Sequence, residues 1–369
     1  MNRYSWNKAI LLNMNSRMFR ILQVANVLFL EAPAGVGFSY DESGRYRTND
    51  DQTADDNYLA VQDFFSKYPH LKKNDFYVAG ESYTGIYVPM LTLRILRDPK
   101  GIRLKGYAVG NGYLDDSLLL NSLVFFGYYH GLYGVNFWNR LTANCCNGSV
   151  SQHSCTFTTH PPSKCSKAVI EAKLVIYAQG LNIYNLYAPC VNVGASSVHF
   201  PGQGPRGTSR MDRSRELMFK GSNQTLPATN LRLGLSCFDD EPLNRYFNRH
   251  DVKVAIHVEK SHMPWVPCAD VLNYTRQYKS MRTVVKELVD SGHLRALIYN
   301  GDVDMACNFL GDEWFVNGLG YAVSSILLPK SSRSSGSGHL VPTDKPAEAF
   351  QMINNFLTGT PFAATENKI

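Results

Sequence analysis

Apolar residues in the first third of the chain follow two alternating periods. A continuous apolar run at residues 27–30 is typical of a strand that is buried on both faces, and residues 76–79 and 104–109 predict two further strands. Between these runs, apolar positions recur at helical spacing over residues 54–65 and again over residues 86–96. The order strand, helix, strand, helix, strand predicts a parallel α/β sheet with helical crossover connections.

This alternation stops near residue 115 and returns after residue 249. The intervening segment holds most of the cysteines and a glycine-rich, basic stretch at residues 202–220. After it, a helical apolar stripe covers residues 281–289, and an apolar run at residues 296–299 predicts a further strand. We therefore expect an atypical N-terminal segment, a two-part α/β core and an inserted cap, formed by residues 1–24, by residues 25–114 and 250–369, and by residues 115–249.

Composition then excludes several classes of protein. The chain has 369 residues, of which 44% are hydrophobic, so it can bury a large core and is not a disordered protein. Its 37 basic and 31 acidic residues leave a net charge of only +6, and without a long basic run this excludes nucleic acid as the main partner. Arg17 and Arg20 interrupt the apolar stretch near the N-terminus, so we expect neither a membrane span nor a signal peptide in this chain.

Clustered cysteines and glycosylation sequons nevertheless favour an oxidising compartment. Four of the eight cysteines lie between residues 145 and 165, without the paired C-x2-C spacing of zinc sites. We therefore favour a disulfide-stapled loop over a metal site in this segment. Three N-x-S/T acceptors, Asn147, Asn223 and Asn273, predict a glycoprotein.

Ser82 is the candidate nucleophile. It follows the predicted strand at residues 76–79 and precedes the predicted helix at residues 86–96, which places it on a sharp, exposed turn. The usual elbow G-x-S-x-G is not met strictly, because Thr84 stands where a small residue is expected and Gly85 comes one place later. A serine hydroxyl also needs a base that takes its proton and an acid that orients this base.

The acid and the base are expected later in the chain. The predicted strand at residues 296–299 runs into a loop with two carboxylates, Asp302 and Asp304, of which Asp302 is interpreted as a turn residue. His339 follows them in a Gly-His-Leu-Val-Pro turn that opens the last predicted helix. By itself such a histidine is most often an ordinary loop residue. The order Ser, Asp, His is nevertheless that of α/β-hydrolases.

Five motifs together resemble the serine carboxypeptidase family. They are APAGVGFSY at 32–40, GESYTGIYVP at 80–89, GNG at 110–112, NGDVDMACN at 300–308 and GHLVPTDKPAEAF at 338–350. The resemblance implies an α/β-hydrolase fold with an inserted, disulfide-containing cap. It also implies a serine-type carboxypeptidase that cleaves C-terminal peptide bonds through an acyl-enzyme, with no metal or organic cofactor. An acyltransferase of the carboxypeptidase-like type is the alternative with the same fold.

The same resemblance assigns roles to individual residues. Ser82 corresponds to the nucleophile, Asp304 to the orienting acid and His339 to the base. The backbone N–H of Tyr83 corresponds to an oxyanion donor, and Glu81 to the acid that binds the terminal carboxylate of the substrate. Two carboxylates in contact repel unless a proton lies between them, so we expect a preference for acidic pH. Alternatively, Glu81 is an elbow residue that bonds only to backbone.

Disulfides, location and partners also follow from the resemblance. It implies the bridges Cys145–Cys165, Cys146–Cys155 and Cys190–Cys237, with Cys307 as a thiol beside Asp304 and Cys268 left over. It implies a lysosomal or secreted protein whose loop at residues 202–220 is cleaved during maturation. Peptide or protein C-termini are the expected substrates. A homodimer and a complex with lysosomal glycosidases, in which the chain is a non-catalytic protective partner, are further expectations.

Two departures from the family pattern concern catalysis. The family motif W-L-N-G-G-P-G-C-S, which supplies a second oxyanion N–H and an asparagine for the terminal carboxylate, does not occur in this sequence. A serine-rich patch at residues 331–338 stands where the strand before His339 is expected. We therefore expect the chain as written to be incomplete near its N-terminus and before His339, and to be impaired in catalysis.

Overall fold

The computed structural model describes residues 24–157, 159, 161–178, 180–190, 237, 241–258, 263–269, 271–321 and 336–362. The predicted cleavage segment at 202–220, the sequon at Asn223 and all but the last residue of the predicted segment 1–24 lie outside the described residues.

Within the described residues the chain forms five strands: β1 (Arg47–Asn49), β2 (Asp75–Ser82), β3 (Arg103–Gly112), β4 (Asn273–Thr275) and β5 (Arg295–Tyr299). Strands β2, β3 and β5 form a parallel sheet in that order, and β1 pairs with β4 as a separate parallel ribbon. The sheet register places Ala79 opposite Ala108, and Ala108 opposite Leu297. The strands predicted at residues 76–79, 104–109 and 296–299 are therefore confirmed.

Helices connect these strands as the apolar periodicity predicts. In chain order they are α1 (Asp50–Lys67), α2 (Thr84–Arg97), α3 (Asp116–Tyr129), α4 (Val135–Cys145), α5 (Lys164–Ala178), α6 (Glu241–Phe247), α7 (His250–Ala255), α8 (Arg282–Asp290), α9 (Phe309–Asn317), α10 (Val341–Asp344) and α11 (Pro346–Thr358). A short 3₁₀ helix at Pro69–Lys73 separates α1 from β2.

The main core lies between the sheet and helices α1, α2 and α8. Helix α1 begins where Asn49 Oδ1 accepts the Gln52 N–H at 2.9 Å, and its buried face carries Val61 and Phe65. Helix α2 contributes the wholly buried Ile95, and β3 contributes Tyr107. Burial of such side chains stabilises the fold by roughly 1.5–3 kcal/mol each, which anchors the carboxyl ends of β2 and β3.

The strand predicted at residues 27–30 is wrong. These residues adopt no strand, and Val27, Leu28, Phe29 and Leu30 are 37%, 37%, 46% and 36% exposed. An apolar run becomes a buried strand only where a neighbouring strand pairs with its backbone. In the described part of the chain the sheet ends at β2, whose own residues are mostly half-exposed, so no partner is provided on that side.

Helices α3, α4 and α5 form a second cluster within the region predicted as a cap. Phe125, Trp138, Leu141 and Val169 are buried in it. The ring of Phe125 also contacts that of Trp314 in α9, with centroids 5.4 Å apart, so this cluster packs against the returning core. The boundaries of the cap at residues 115 and 249 stay a prediction.

Three disulfides are present: Cys145–Cys165, Cys146–Cys155 and Cys190–Cys237. These are the pairs that the resemblance implies. The first joins the end of α4 to the start of α5, and therefore staples the second cluster. None of the helices in the described ranges is both long and apolar enough to span a bilayer.

Candidate active site

Ser82 lies on a strained turn between β2 and α2. Its φ of 65° falls in the left-handed region, which a residue with a side chain seldom adopts. The turn is held by Thr84 Oγ1, which donates to the Glu81 carbonyl at 2.8 Å, and by the Tyr113 N–H, which donates to the Ser82 carbonyl at 2.9 Å. A Cβ at Gly85 would lie 2.5 Å from the Tyr113 nitrogen, so glycine at this position permits the close approach. This turn therefore forms without the strict elbow spacing.

His339 and Asp304 form a buried pair. The distance between His339 Nδ1 and Asp304 Oδ2 is 2.7 Å, and the two side chains are 3% and 0% exposed. Asp304 also accepts the backbone N–H groups of Ala306 at 2.8 Å and Cys307 at 3.2 Å. Hydrogen bonds of this kind hold a carboxylate in one orientation.

Asn111 links this pair to the central sheet. It is the penultimate residue of β3 and has a left-handed conformation. It donates from Nδ2 to Asp304 Oδ2 at 2.9 Å and accepts the Gly301 N–H at 3.2 Å. From the sequence, Asn111 stands out only as part of the GNG motif, with no assigned role. The available signal was an asparagine between two glycines at the carboxyl end of a predicted strand.

The segment at residues 182–190 also contacts the pair, although it belongs to the predicted cap. The Tyr184 carbonyl accepts the His339 N–H at 2.7 Å, and the two rings lie 5.0 Å apart. The Ile183 carbonyl accepts the N–H groups of Met305 at 2.9 Å and Ala306 at 3.1 Å. The loops that carry Asp304 and His339 are therefore positioned by one stretch of the predicted cap, for which the sequence carried no signal.

The contact with Asp304 raises the pKa of His339 above its ordinary value. Burial is the largest single influence and lowers the pKa, because it disfavours the imidazolium. The charge of Asp304 and its hydrogen bond to the ring together outweigh this, with Glu81 adding to them. With Nδ1–H donated to Asp304, Nε2 is the nitrogen that remains for a substrate or a nucleophile.

Ser82 lies at the same edge of the sheet as this pair. It is paired in register with Gly112, the residue after Asn111, and Asn111 bonds directly to Asp304. Ser82 and His339 are both described, and no hydrogen bond joins them in this structure. Hydrogen bonds in active sites without substrate are often longer than in the reacting complex. The three predicted residues are therefore gathered at one edge, with two of them in direct contact.

Glu81 precedes Ser82 and has a pKa raised to about 8. Burial is the main cause, since a charged carboxylate is disfavoured away from water, and the negative charges of Asp304 and Asp344 add to it. The charge of His339 acts in the opposite direction. A carboxyl group with such a pKa is protonated in neutral and acidic solution and can donate a hydrogen bond to an anion.

The other predicted positions lie outside this cluster or at its border. Cys307 is a buried thiol next to Asp304, and Cys268 lies outside the three disulfides. The sequon residue Asn147 is exposed, whereas Asn273 is half-buried in β4. Across the described ranges, no three His, Cys, Asp or Glu side chains are arranged to hold a metal ion.

Comparisons with known proteins identify the family of this chain. The family model for serine carboxypeptidase matches residues 2–334. The mouse lysosomal protective protein is 36% identical to this chain over 98% of the chain and 77% of its own length. A serine carboxypeptidase of Caenorhabditis elegans, ctsa-4.1, is 32% identical over 98% of the chain and 77% of its own length.

A solved structure shows the fold. The prohormone-processing carboxypeptidase KEX1(Δ)P from Saccharomyces cerevisiae aligns with a TM-score of 0.57 at 17% identity, over 90% of this chain and 73% of the other. At this identity the likeness supports the fold alone, and it confirms the predicted α/β-hydrolase fold. With the match to the family model over most of its length, the chain belongs to the serine carboxypeptidase family, whose members are hydrolases of the exopeptidase type.

Proposed function

We propose that this chain releases C-terminal residues from peptides through an acyl-enzyme on Ser82, with His339 as base and Asp304 as orienting acid. The observation that carries the proposal is the buried His339–Asp304 hydrogen bond of 2.7 Å, which Asn111 ties to the strand beside Ser82. This arrangement leaves His339 Nε2 without a partner in the pair, at the edge of the sheet where the half-buried Ser82 turn lies.

The proposed reaction has two steps. In the first, His339 Nε2 takes the proton of Ser82 Oγ while this oxygen attacks the carbonyl carbon of the last peptide bond. The Tyr83 N–H is directed at the oxyanion, and the leaving amine takes the proton from His339. In the second step His339 takes a proton from a water molecule, which attacks the ester carbonyl. The bond to Ser82 Oγ then breaks, this oxygen takes the proton from His339, and the shortened peptide leaves with a new C-terminal carboxyl group.

Glu81 is proposed to select substrates with a free C-terminus. Its neutral carboxyl group donates a hydrogen bond to the terminal carboxylate, which an internal peptide bond lacks. Because the pKa of Glu81 is about 8, this recognition operates in acidic and neutral solution and is lost above that pH. The acidic range expected from the sequence lies within this window.

The experiment that tests the proposal compares Ser82→Ala with Ser66→Ala, which changes an exposed serine in α1. A fluorophosphonate probe should label the wild-type chain and Ser66→Ala, and should not label Ser82→Ala. Release of C-terminal amino acids should be lost in parallel, because without a triad member only binding and oxyanion contacts remain. Undiminished labelling or hydrolysis in Ser82→Ala would refute the assignment.

A second function is favoured by the name of the mouse relative, lysosomal protective protein. We propose that this chain is lysosomal or secreted and that it also protects a lysosomal glycosidase by binding it, independently of catalysis. In that case Ser82→Ala should extend the half-life of the glycosidase as well as the wild-type chain does. A half-life equal to that of the glycosidase alone would exclude this role.

A further inference from the structure

Asp50, the first residue of α1, is buried beside the Ser82 turn. It is 0% exposed, and its carboxylate accepts four hydrogen bonds. Oδ1 accepts the hydroxyl groups of Tyr83 at 2.8 Å and Tyr274 at 2.6 Å. Oδ2 accepts the backbone N–H groups of Gln277 at 2.5 Å and Tyr278 at 3.2 Å. Asp50 thereby connects three parts of the chain that are distant in sequence.

One of these donors belongs to the turn itself. Tyr83 follows Ser82 directly, so its backbone N–H belongs to the peptide bond between the two residues, and its side chain branches from the next Cα. The ring packs edge-on against Tyr87 at 5.2 Å and Tyr274 at 5.8 Å, and the Arg276 guanidinium lies 4.9 Å from its centroid. Burial, with the nearby charge of Asp50, raises the pKa of Tyr83, so its hydroxyl stays protonated and donates.

The opposite side of the turn is held by Tyr113, the residue that follows β3. The Tyr113 N–H donates to the Ser82 carbonyl, and the backbone of Tyr113 packs directly on Gly85. A left-handed conformation at a residue with a side chain costs roughly 1–3 kcal/mol and persists only where the surroundings impose it. Contacts on both sides are therefore required to keep Ser82 at a φ of 65°.

We propose that Asp50 is a positioning residue for the nucleophile turn, because by accepting the Tyr83 hydroxyl it fixes the direction of the Tyr83 backbone N–H and of Ser82 Oγ. This role rests on the proposed function of Ser82 and Tyr83. Asp50 does not touch the substrate and acts only through Tyr83. A shift of about 1 Å in such a group can reduce a rate by about 100-fold.

Tyr83→Phe and Tyr274→Phe form a matched pair that tests this role. Each removes one hydroxyl group from the same oxygen of Asp50, but only Tyr83 belongs to the turn. We expect Tyr83→Phe to lower kcat and the fluorophosphonate labelling rate by about 10- to 100-fold with a small change in KM. Tyr274→Phe should stay within about twofold of the wild-type rates, and the two variants should have similar melting temperatures.

Equal rates in the two variants would overturn the positioning role, as would a loss in Tyr83→Phe that only matches its loss of folded protein. Asp50→Asn is the complementary variant, because an amide nitrogen replaces one carboxylate oxygen and cannot accept, so that two of the four donors lose their acceptor. If it folds, its kcat should fall at least as far as that of Tyr83→Phe. An absence of labelling in the wild-type chain would instead refute the proposed function, so the two failures are distinguishable.

Discussion

Glu81→Gln should remove the alkaline limit of peptide hydrolysis. The glutamine is neutral at every pH and has nearly the shape of a protonated glutamate. With a pKa of about 8, the wild-type carboxyl group is almost wholly protonated at pH 6. At pH 9 only about a tenth remains protonated, and each further pH unit reduces this fraction about tenfold. If the neutral form binds the terminal carboxylate, wild-type kcat/KM falls about tenfold per pH unit above pH 8.

The assay is kcat/KM for a blocked dipeptide with a free C-terminus, measured from pH 5 to pH 10 for both proteins. Glu81→Gln should follow a flat line on the alkaline side and should stay close to the wild-type value near pH 6. The corresponding dipeptide amide has no terminal carboxylate, so its slower cleavage should show no alkaline limit in either protein. The rate of fluorophosphonate labelling reports whether Ser82 and His339 remain intact in the variant.

An unchanged alkaline limit in Glu81→Gln would refute the reasoning, since the titrating group would then be another residue. Asp344→Asn supplies a second check, because the charge of Asp344 is one cause of the raised pKa of Glu81. Its removal should move the limit to lower pH. Asp344 also accepts the Gly338 N–H at 2.7 Å, so the labelling rate of this variant at pH 6 must first match that of the wild-type chain.

The Glu81 carboxyl group also makes the free energy of unfolding depend on pH. The unfolded chain ionises Glu81 near its ordinary pKa of 4.5, while the folded chain keeps it protonated to about 8. Between these values the unfolded state binds fewer protons, so the free energy of unfolding decreases as pH rises. Glu81→Gln should lack this part of the decrease, which urea unfolding at pH 5 and pH 8 would measure.

Two further substitutions address the surroundings of the pair. Asn111→Ala removes a donor from the buried Asp304 carboxylate, so the free energy of unfolding should fall by about 2–3 kcal/mol and kcat should fall with it; unchanged urea unfolding and kinetics would contradict this. Asp312 in α9 accepts the Gly112 N–H, and burial raises its pKa well above the ordinary value. Asp312→Asn should therefore lose less stability than the wild-type chain as pH rises, because its amide group cannot ionise; equal losses in urea unfolding at pH 5 and pH 8 would contradict the raised pKa.

The strand predicted at residues 27–30 does not form, because strand formation depends on pairing with segments that are distant in the sequence. Strands were predicted both there and at residues 104–109, and only the second strand formed. Strand β3 has β2 on one side and β5 on the other, which pair with both edges of its backbone. Sequence records which residues would tolerate burial, whereas pairing depends on which other segments are available in space.

The sequence by itself determined the elements around Ser82, Asp304 and His339, because short apolar runs and helical stripes are local properties. It also determined their order, and with the five motifs it determined the family. Only the tertiary structure decided that Asn111 binds Asp304, that Tyr184 holds His339 and that Asp50 holds Tyr83. These contacts join residues far apart in the chain, and no period or spacing encodes which distant polar groups will satisfy a buried carboxylate.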